Sequence, residues 1–316
     1  MKTRVLLLLL LAAGCASTDA AEEPLRSTLS PEDLQAQRGE AEEADFLERL
    51  QEAVNAPGKE DQAQTMNTLE HMLPSWQNEQ RRGREAPLER IITIKVVSRF
   101  DDVLDSFENG PRERRLVAAW ALGFARVPPN DLGIASPHEK ALEALSGGIS
   151  STDDELLRNV LLGLWKLGDP ATPLPPLLDI MVQHHDPDVR ANAALALTTV
   201  LGSPERATLA RDGLMVALAD SEAKVRLHAA AVLRRYPDPA STARLLALLP
   251  AEQMPLVRAA MASALGAAGS RAAGPLLLPM LGSAREIEST TAREALTRIY
   301  GEDRGANPAA WEDLVR

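Results

Sequence analysis

The 316-residue chain is 45% apolar and 25% charged and carries a formal charge of −11, a globular composition that fits neither a disordered tail nor a polytopic membrane protein. Aromatic residues make up only 3%, Ala and Leu recur throughout, and no alternating segment is long enough to start a sheet, which disfavours a β-barrel, a sandwich or a doubly wound nucleotide fold. The acidic charge argues against nucleic acid as a partner, and a single cysteine excludes an internal disulfide or a multi-Cys zinc site.

The first fifteen residues read MKTRVLLLLLLAAGC. Lys2 and Arg4 precede an apolar run from Val5 to Ala13. That run is shorter than the roughly 20 helical residues needed to cross a hydrocarbon core, so residues 1–14 read as a processing segment. Leu11-Ala12-Ala13-Gly14-Cys15 resembles the lipobox of bacterial lipoproteins, with Ala12 where that motif more often has Leu. The resemblance implies acylation of Cys15 and cleavage before it, hence a chain held to the lipid bilayer of a bacterial cell envelope. The alternative is an ordinary secretory peptide cut near Ala20-Ala21. Ala16 replaces the Asp that the enterobacterial sorting rule reads as inner-membrane retention, which implies the outer membrane, facing the periplasm. Each buried methylene contributes about 0.8 kcal/mol, so two or more acyl chains give a stable anchor. Residues 15–29 are small, polar and acidic, as a flexible tether requires.

Residues 30–110 form an acidic helical region. Ser30-Pro31-Glu32-Asp33 is a helix start, and Ala56-Pro57-Gly58 stops that helix. A second helix is predicted from about Lys59 to Arg82 with Pro74 as a break or kink. A third covers Leu88 to Phe107, with Ile91, Ile94, Val97 and Leu104 on its apolar face, and reads as a degenerate first repeat. Residues 15–110 carry a net −11, against −2 for residues 111–316. This acidity suits either a surface for a basic partner or a solvated hairpin.

Residues 111–300 repeat. An Arg is followed at +3, +4 and +7 by small or apolar residues in RLVAAWAL at 115–122, LRNVLLGLW at 157–165, VRANAALAL at 189–197, VRLHAAAVL at 225–233 and VRAAMASAL at 257–265. The arginines are Arg115, Arg158, Arg190, Arg226 and Arg258, spaced 43, 32, 36 and 32 residues apart. Positions +3, +4 and +7 share one helical face. Second apolar helices alternate with these, for example through Leu177, Leu178 and Met181, and through Leu245, Leu246 and Leu249. Turn signals such as Gly168-Asp169-Pro170 and Asp186-Pro187-Asp188 separate them. One helix pair cannot bury both apolar faces alone, so neighbours must stack.

Asp186, Val189, Arg190, Ala193, Ala194, Ala196 and Leu197, and again Val257, Arg258, Ala262, Ala264, Leu265 and Gly266, resemble the signature of the HEAT-repeat family, in the short bacterial form shared with phycobilisome-lyase-like proteins. The resemblance implies an all-α fold, a right-handed α-α superhelix of stacked helix pairs. It also implies an arginine ladder paired with acids of neighbouring turns, here Asp153, Asp186, Asp220 or Glu222. Arg114 departs from the pattern in the first unit. Ser289 departs from it near the end, which marks a terminal cap. Residues 301–316 form the C-terminal cap, which the resemblance closes with Trp311.

No nucleotide loop, metalloprotease helix or nucleophile elbow occurs, no cofactor is implied, and the expected catalytic set is empty. His184-His185-Asp186 hints at metal, but no third ligand has obvious spacing, so no metal site is predicted. The longest interruption, 127–137, begins Val127, Pro128, Pro129, Asn130, Asp131 and is a candidate contact loop or a plain connector. Two functions remain: a membrane-tethered, non-catalytic scaffold binding another envelope protein, or an accessory or lyase-type enzyme on the same repeat.

Overall fold

The computed structural model describes residues 61–126 and 137–315, together with Asp45, Glu48, Arg49 and Glu52. Every regular element among them is helical, and contacts divide the chain into two units, Met1–Ala141 and Leu142–Arg316.

The first unit contains α1 (Gln62–Arg81), α2 (Ala86–Ser98), α3 (Phe100–Glu108) and α4 (Arg112–Leu122); α5 (Pro137–Gly148) runs across the division. Asp61 and Gln64 form a reciprocal capping box at the start of α1. This helix passes through Pro74 without a break. Pro74 is exposed, so the carbonyl deprived of its donor can be served by water. The single helix expected over 88–107 is two, divided at Arg99. Asp101 and Asp102 lie in the first turn of α3, where carboxylates suit the open N–H groups. The apolar face also differs from the expected one: Ile92, Val96, Val97, Phe100, Val103 and Phe107 are buried, while Ile91 is 51% exposed.

Trp76, Trp120 and Phe124 form the centre of this unit, with ring centroids 5.0–5.7 Å apart in the tilted and edge-on geometries aromatic pairs prefer. Trp76 donates through Nε1 to Glu89 at 2.9 Å. Because α4 brings Trp120 to this cluster and packs on α1 and α3, the 110/111 boundary drawn from sequence falls inside a packed unit.

The second unit continues with α6 (Asp154–Leu167), α7 (Leu174–Gln183), α8 (Pro187–Val200), α9 (Pro204–Ala217), α10 (Ala223–Arg235), α11 (Pro239–Leu248), α12 (Pro255–Ala267), α13 (Gly274–Leu281), α14 (Glu286–Tyr300) and α15 (Glu312–Val315). The helices α6, α8, α10, α12 and α14 stack on one another in series, and α7, α9, α11 and α13 form a second layer against them. This is a solenoid of helix pairs. Ala193, Ala194, Ala229, Ala230, Ala262 and Leu197 are completely buried; the small residues let adjacent helices approach and the leucine fills the remaining gap. At Gly266 the approach is closest, since a Cβ there would lie 2.7 Å from the Ala295 Cα.

Side-chain caps from Asp153, Asp186, Ser203, Glu222 and Asp238 start α6, α8, α9, α10 and α11. Gly168 (φ +65°) and Gly301 (φ +83°) end α6 and α14 in the left-handed region. The matching caps Asp153 and Asp186 also correct the repeat register. Counted from its cap, Arg190 of α8 aligns with Leu157 of α6, and Arg158 lies one place later. Leu157, Val160, Leu161 and Leu164 are accordingly buried, while Leu162 and Trp165 are only partly so. At the C-terminus Trp311 is fully buried and donates from Nε1 to the Gly305 carbonyl at 2.9 Å.

Candidate functional site

The helices α6, α8, α10, α12 and α14, hereafter the inner helices, carry two rows of side chains. One row is internal. Arg190 donates from Nε and Nη2 to Asp220 at 2.8 and 2.9 Å, and Arg226 to Glu252 at 2.7 and 3.0 Å. Arg258 lies 3.0 Å from Glu288. Each arginine also donates from Nη1 to the carbonyl six residues earlier: His184, Asp220 and Glu252. Asp220 and Glu252 are therefore nodes, accepting one arginine on the side chain and the next on the backbone. Arg158, displaced by one register, approaches Asp186 only to 3.5 Å. Arg115, in the first unit, donates from Nε to the Phe107 carbonyl at 3.1 Å. The resemblance had suggested Asp186 and Asp220 as partners, with Asp153 and Glu222, which instead cap α6 and α10, and had passed over Glu252, in a loop, and Glu288, in the first turn of α14. A usable signal was the acid six residues before Arg226 and Arg258.

Charge follows this wiring. Burial pushes the Asp220 and Glu252 carboxyls up, but the bidentate guanidinium and the backbone N–H groups of Glu222 and Met254 outweigh it, leaving both below the ordinary carboxylate range. Arg190 and Arg226 are raised, chiefly by the hydrogen bonds to those acids. With donors and acceptors spent on each other, this row holds repeats together and has little left to offer a ligand.

The second row faces solvent. It runs through Leu162 and Trp165 on α6, Leu195 and Thr198 on α8, Ala231 and Arg234 on α10, and Glu294 and Thr297 on α14, and is interrupted at α12, where Ser263 and Gly266 are buried. Its first part is apolar; its last part contains Arg234, Arg235 and Arg298. Cross-repeat hydrogen bonds steady it: Asn192 donates to the Arg158 carbonyl at 3.2 Å and Thr199 to the Trp165 carbonyl at 2.8 Å. A shallow depression of about 510 Å³ lies against α14, lined by Thr290, Arg293, Glu294, Thr297, Arg298 and Asp303. Arg293 ties down its Asp303 wall, and that hydrogen bond, with one from the Gly305 N–H, holds the carboxyl at about 2.

The third ligand that sequence spacing did not reveal is Asp154, at the start of α6. Its carboxylate lies 3.6 Å from His184 Nε2 and 3.0 Å from His185 Nε2. The three ligand atoms fall within 4.8 Å of one another. His184 Nδ1, however, accepts the Asp186 N–H at 3.2 Å. The neutral ring therefore keeps its proton on Nε2, the nitrogen a metal would have to take, whereas ligating histidines donate through the other nitrogen. The arrangement suits a His–carboxylate contact better than metal coordination. Cys15, residues 1–29 and the loop Val127, Pro128, Pro129, Asn130 and Asp131 lie outside the described residues.

Among solved structures, the chain is similar to an engineered protein at 19% identity and a TM-score of 0.50, covering 64% of this chain and 98% of that one. A designed armadillo repeat protein matches at 16% identity and a TM-score of 0.47, covering 62% and 98%. Human deoxyhypusine hydroxylase in complex with glycerol matches at 16% and a TM-score of 0.34, covering 75% and 98%. No curated protein matches in sequence. The family model for HEAT repeats matches residues 139–214 and 211–297, half of the chain. With its stacked helix pairs and cross-repeat arginine–acid pairs, the chain belongs to the HEAT-repeat family.

Proposed function

We propose that this protein is a lipid-tethered, non-catalytic scaffold that holds another envelope protein on the outward row of its inner helices. The observation that carries the binding role is the division of labour on those helices. The internal row spends its charges within the chain, while the outward row presents Leu162, Trp165 and Leu195 at one end and arginines at the other. Serial stacking of this kind supplies long binding surfaces. The tether rests on the Cys15 motif, and the acyl chains would hold the protein at the membrane.

The test is fractionation with labelled fatty acid, joined to capture from the native envelope. The chain should pellet with membranes and carry label, and Cys15→Ser should release it unlabelled to the soluble fraction. Photocrosslinking should join the tethered chain to one discrete partner. A Cys15→Ser chain that stays in the pellet with label overturns the anchor. A chain that joins no partner overturns the scaffold.

A further inference from the structure

The last repeats differ from the rest of the molecule in charge. Residues 223–300 hold ten Lys or Arg against five Asp or Glu, a net +5 in a chain of −11. Five of the nine arginines are committed: Arg226 and Arg258 to the internal row, Arg235 to the Thr198 carbonyl at 3.4 Å, Arg293 to Asp303, and Arg271 to the face of Tyr300 at 5.6 Å, while Arg244 and Arg285 are exposed. Arg234 and Arg298 are not committed. Among the described residues neither forms an ion pair or a hydrogen bond; Arg234 is partly buried and Arg298 is exposed.

They stand on α10 and α14, on either side of α12, which packs against both. Between them α12 offers only short side chains, the buried Ala260, Ser263 and Gly266 and the partly exposed Ala267, none able to separate the guanidiniums or to neutralise them. Toward its start the same helix exposes Leu256 (56%), with Met254 (47%) just before it. The two charges feel each other: burial and then the Arg298 charge lower the Arg234 guanidinium from its ordinary range, with Glu294 opposing. Two like charges on one side of the stack, one of them partly buried, are complementary to carboxylates.

Building on the scaffold reading above, we propose that Arg234 and Arg298 form a clamp over α12 that docks an acidic, extended segment of the partner protein, with an apolar side chain against Leu256 and Met254. Packed helices lie about 8–10 Å apart, so α10 to α14 spans roughly 20 Å, about six residues of extended chain at 3.3 Å each. Two or three carboxylates within such a stretch would reach both arginines. Glu294, on the same face, favours segments whose acids straddle it.

Fluorescence anisotropy with labelled (Gly-Glu)5 and (Gly-Lys)5 decapeptides and the full chain carrying Cys15→Ser tests this. The acidic probe should bind at least about tenfold more tightly than the basic one. Arg234→Gln/Arg298→Gln should lose at least about tenfold, with an unchanged melting curve. Arg244→Gln/Arg271→Gln, which removes the same charge elsewhere, should stay within about twofold of the parent chain. Equal loss in both double variants, or no preference for the acidic probe, overturns the clamp. A chain that joins its envelope partner yet shows no such preference keeps the scaffold and sinks only the clamp. Clamp-dependent binding by a chain that joins no partner does the reverse.

Discussion

Arg226 and Glu252 are joined by two hydrogen bonds, at 2.7 and 3.0 Å, across 26 residues and between successive repeats. Glu252 also accepts the backbone N–H groups of Gln253 and Met254, at the start of α12. A single carboxylate thus orients its own repeat and fastens the preceding one. Removing it leaves a largely shielded guanidinium without its acid, and Glu252→Gln should cost about 2–3 kcal/mol, toward the low end because Arg226 keeps some exposure. Arg226→Met/Glu252→Met should recover part of that loss. Urea unfolding of Glu252→Gln and of the double variant measures both.

The same contacts set the acid stability. Asp220 and Glu252 titrate below the ordinary carboxylate range when folded, so their contribution is present above that range and disappears as pH falls below about 4. His228 acts earlier. Burial, assisted by the Lys224 charge, pushes it down to about 4, so the unfolded chain takes up this proton first. Stability should be full above about pH 6.5 and decline toward pH 4. In a series of urea midpoints against pH, His228→Gln should flatten the slope between those values and leave the steeper loss below pH 4 intact.

Close approach makes Gly266 a sensitive position. A Cβ added there meets the Ala295 Cα at 2.7 Å and its Cβ at 2.8 Å, atoms that cannot swing aside. Gly266→Val should therefore destabilise by about 1–3 kcal/mol through overpacking. Gly269→Ala tests a different cost, because a Cβ there meets nothing within 4 Å but φ is +63°. Its loss should be near 1 kcal/mol. Thermal unfolding separates the two.

Leu197 is completely buried between α8 and its neighbours. Leu197→Asp places an unpaired carboxylate there and should abolish cooperative unfolding near room temperature. Circular dichroism on heating would show a folded, unshifted transition if the packing were otherwise.

Much of this fold is legible in the sequence, because a solenoid repeats its packing in every unit. Ala193-Ala194-Leu197 and Ala229-Ala230-Leu233 are buried as their spacing requires. The register of α6 was less visible, since Arg158 attracts the motif while the cap at Asp153 sets the helix one residue earlier. The break at Arg99 has no Gly or Pro to mark it. Asp154 could not be linked to His184 and His185 by local spacing, because two helices, α6 and α7, and the turn between them separate them in the chain. Arg234 and Arg298 were equally hidden: their relation exists only once α10, α12 and α14 are stacked.

The central claim is that partners are held on the outward row of the inner helices. Leu195 lies on that row, whereas Leu209 is 72% exposed on α9 of the other layer. A photoreactive phenylalanine placed at either position in the envelope-bound chain compares the two surfaces directly. A discrete crosslinked partner from position 195 and none from position 209 is the predicted result. Crosslinking from position 209 alone, or from neither, would contradict the account.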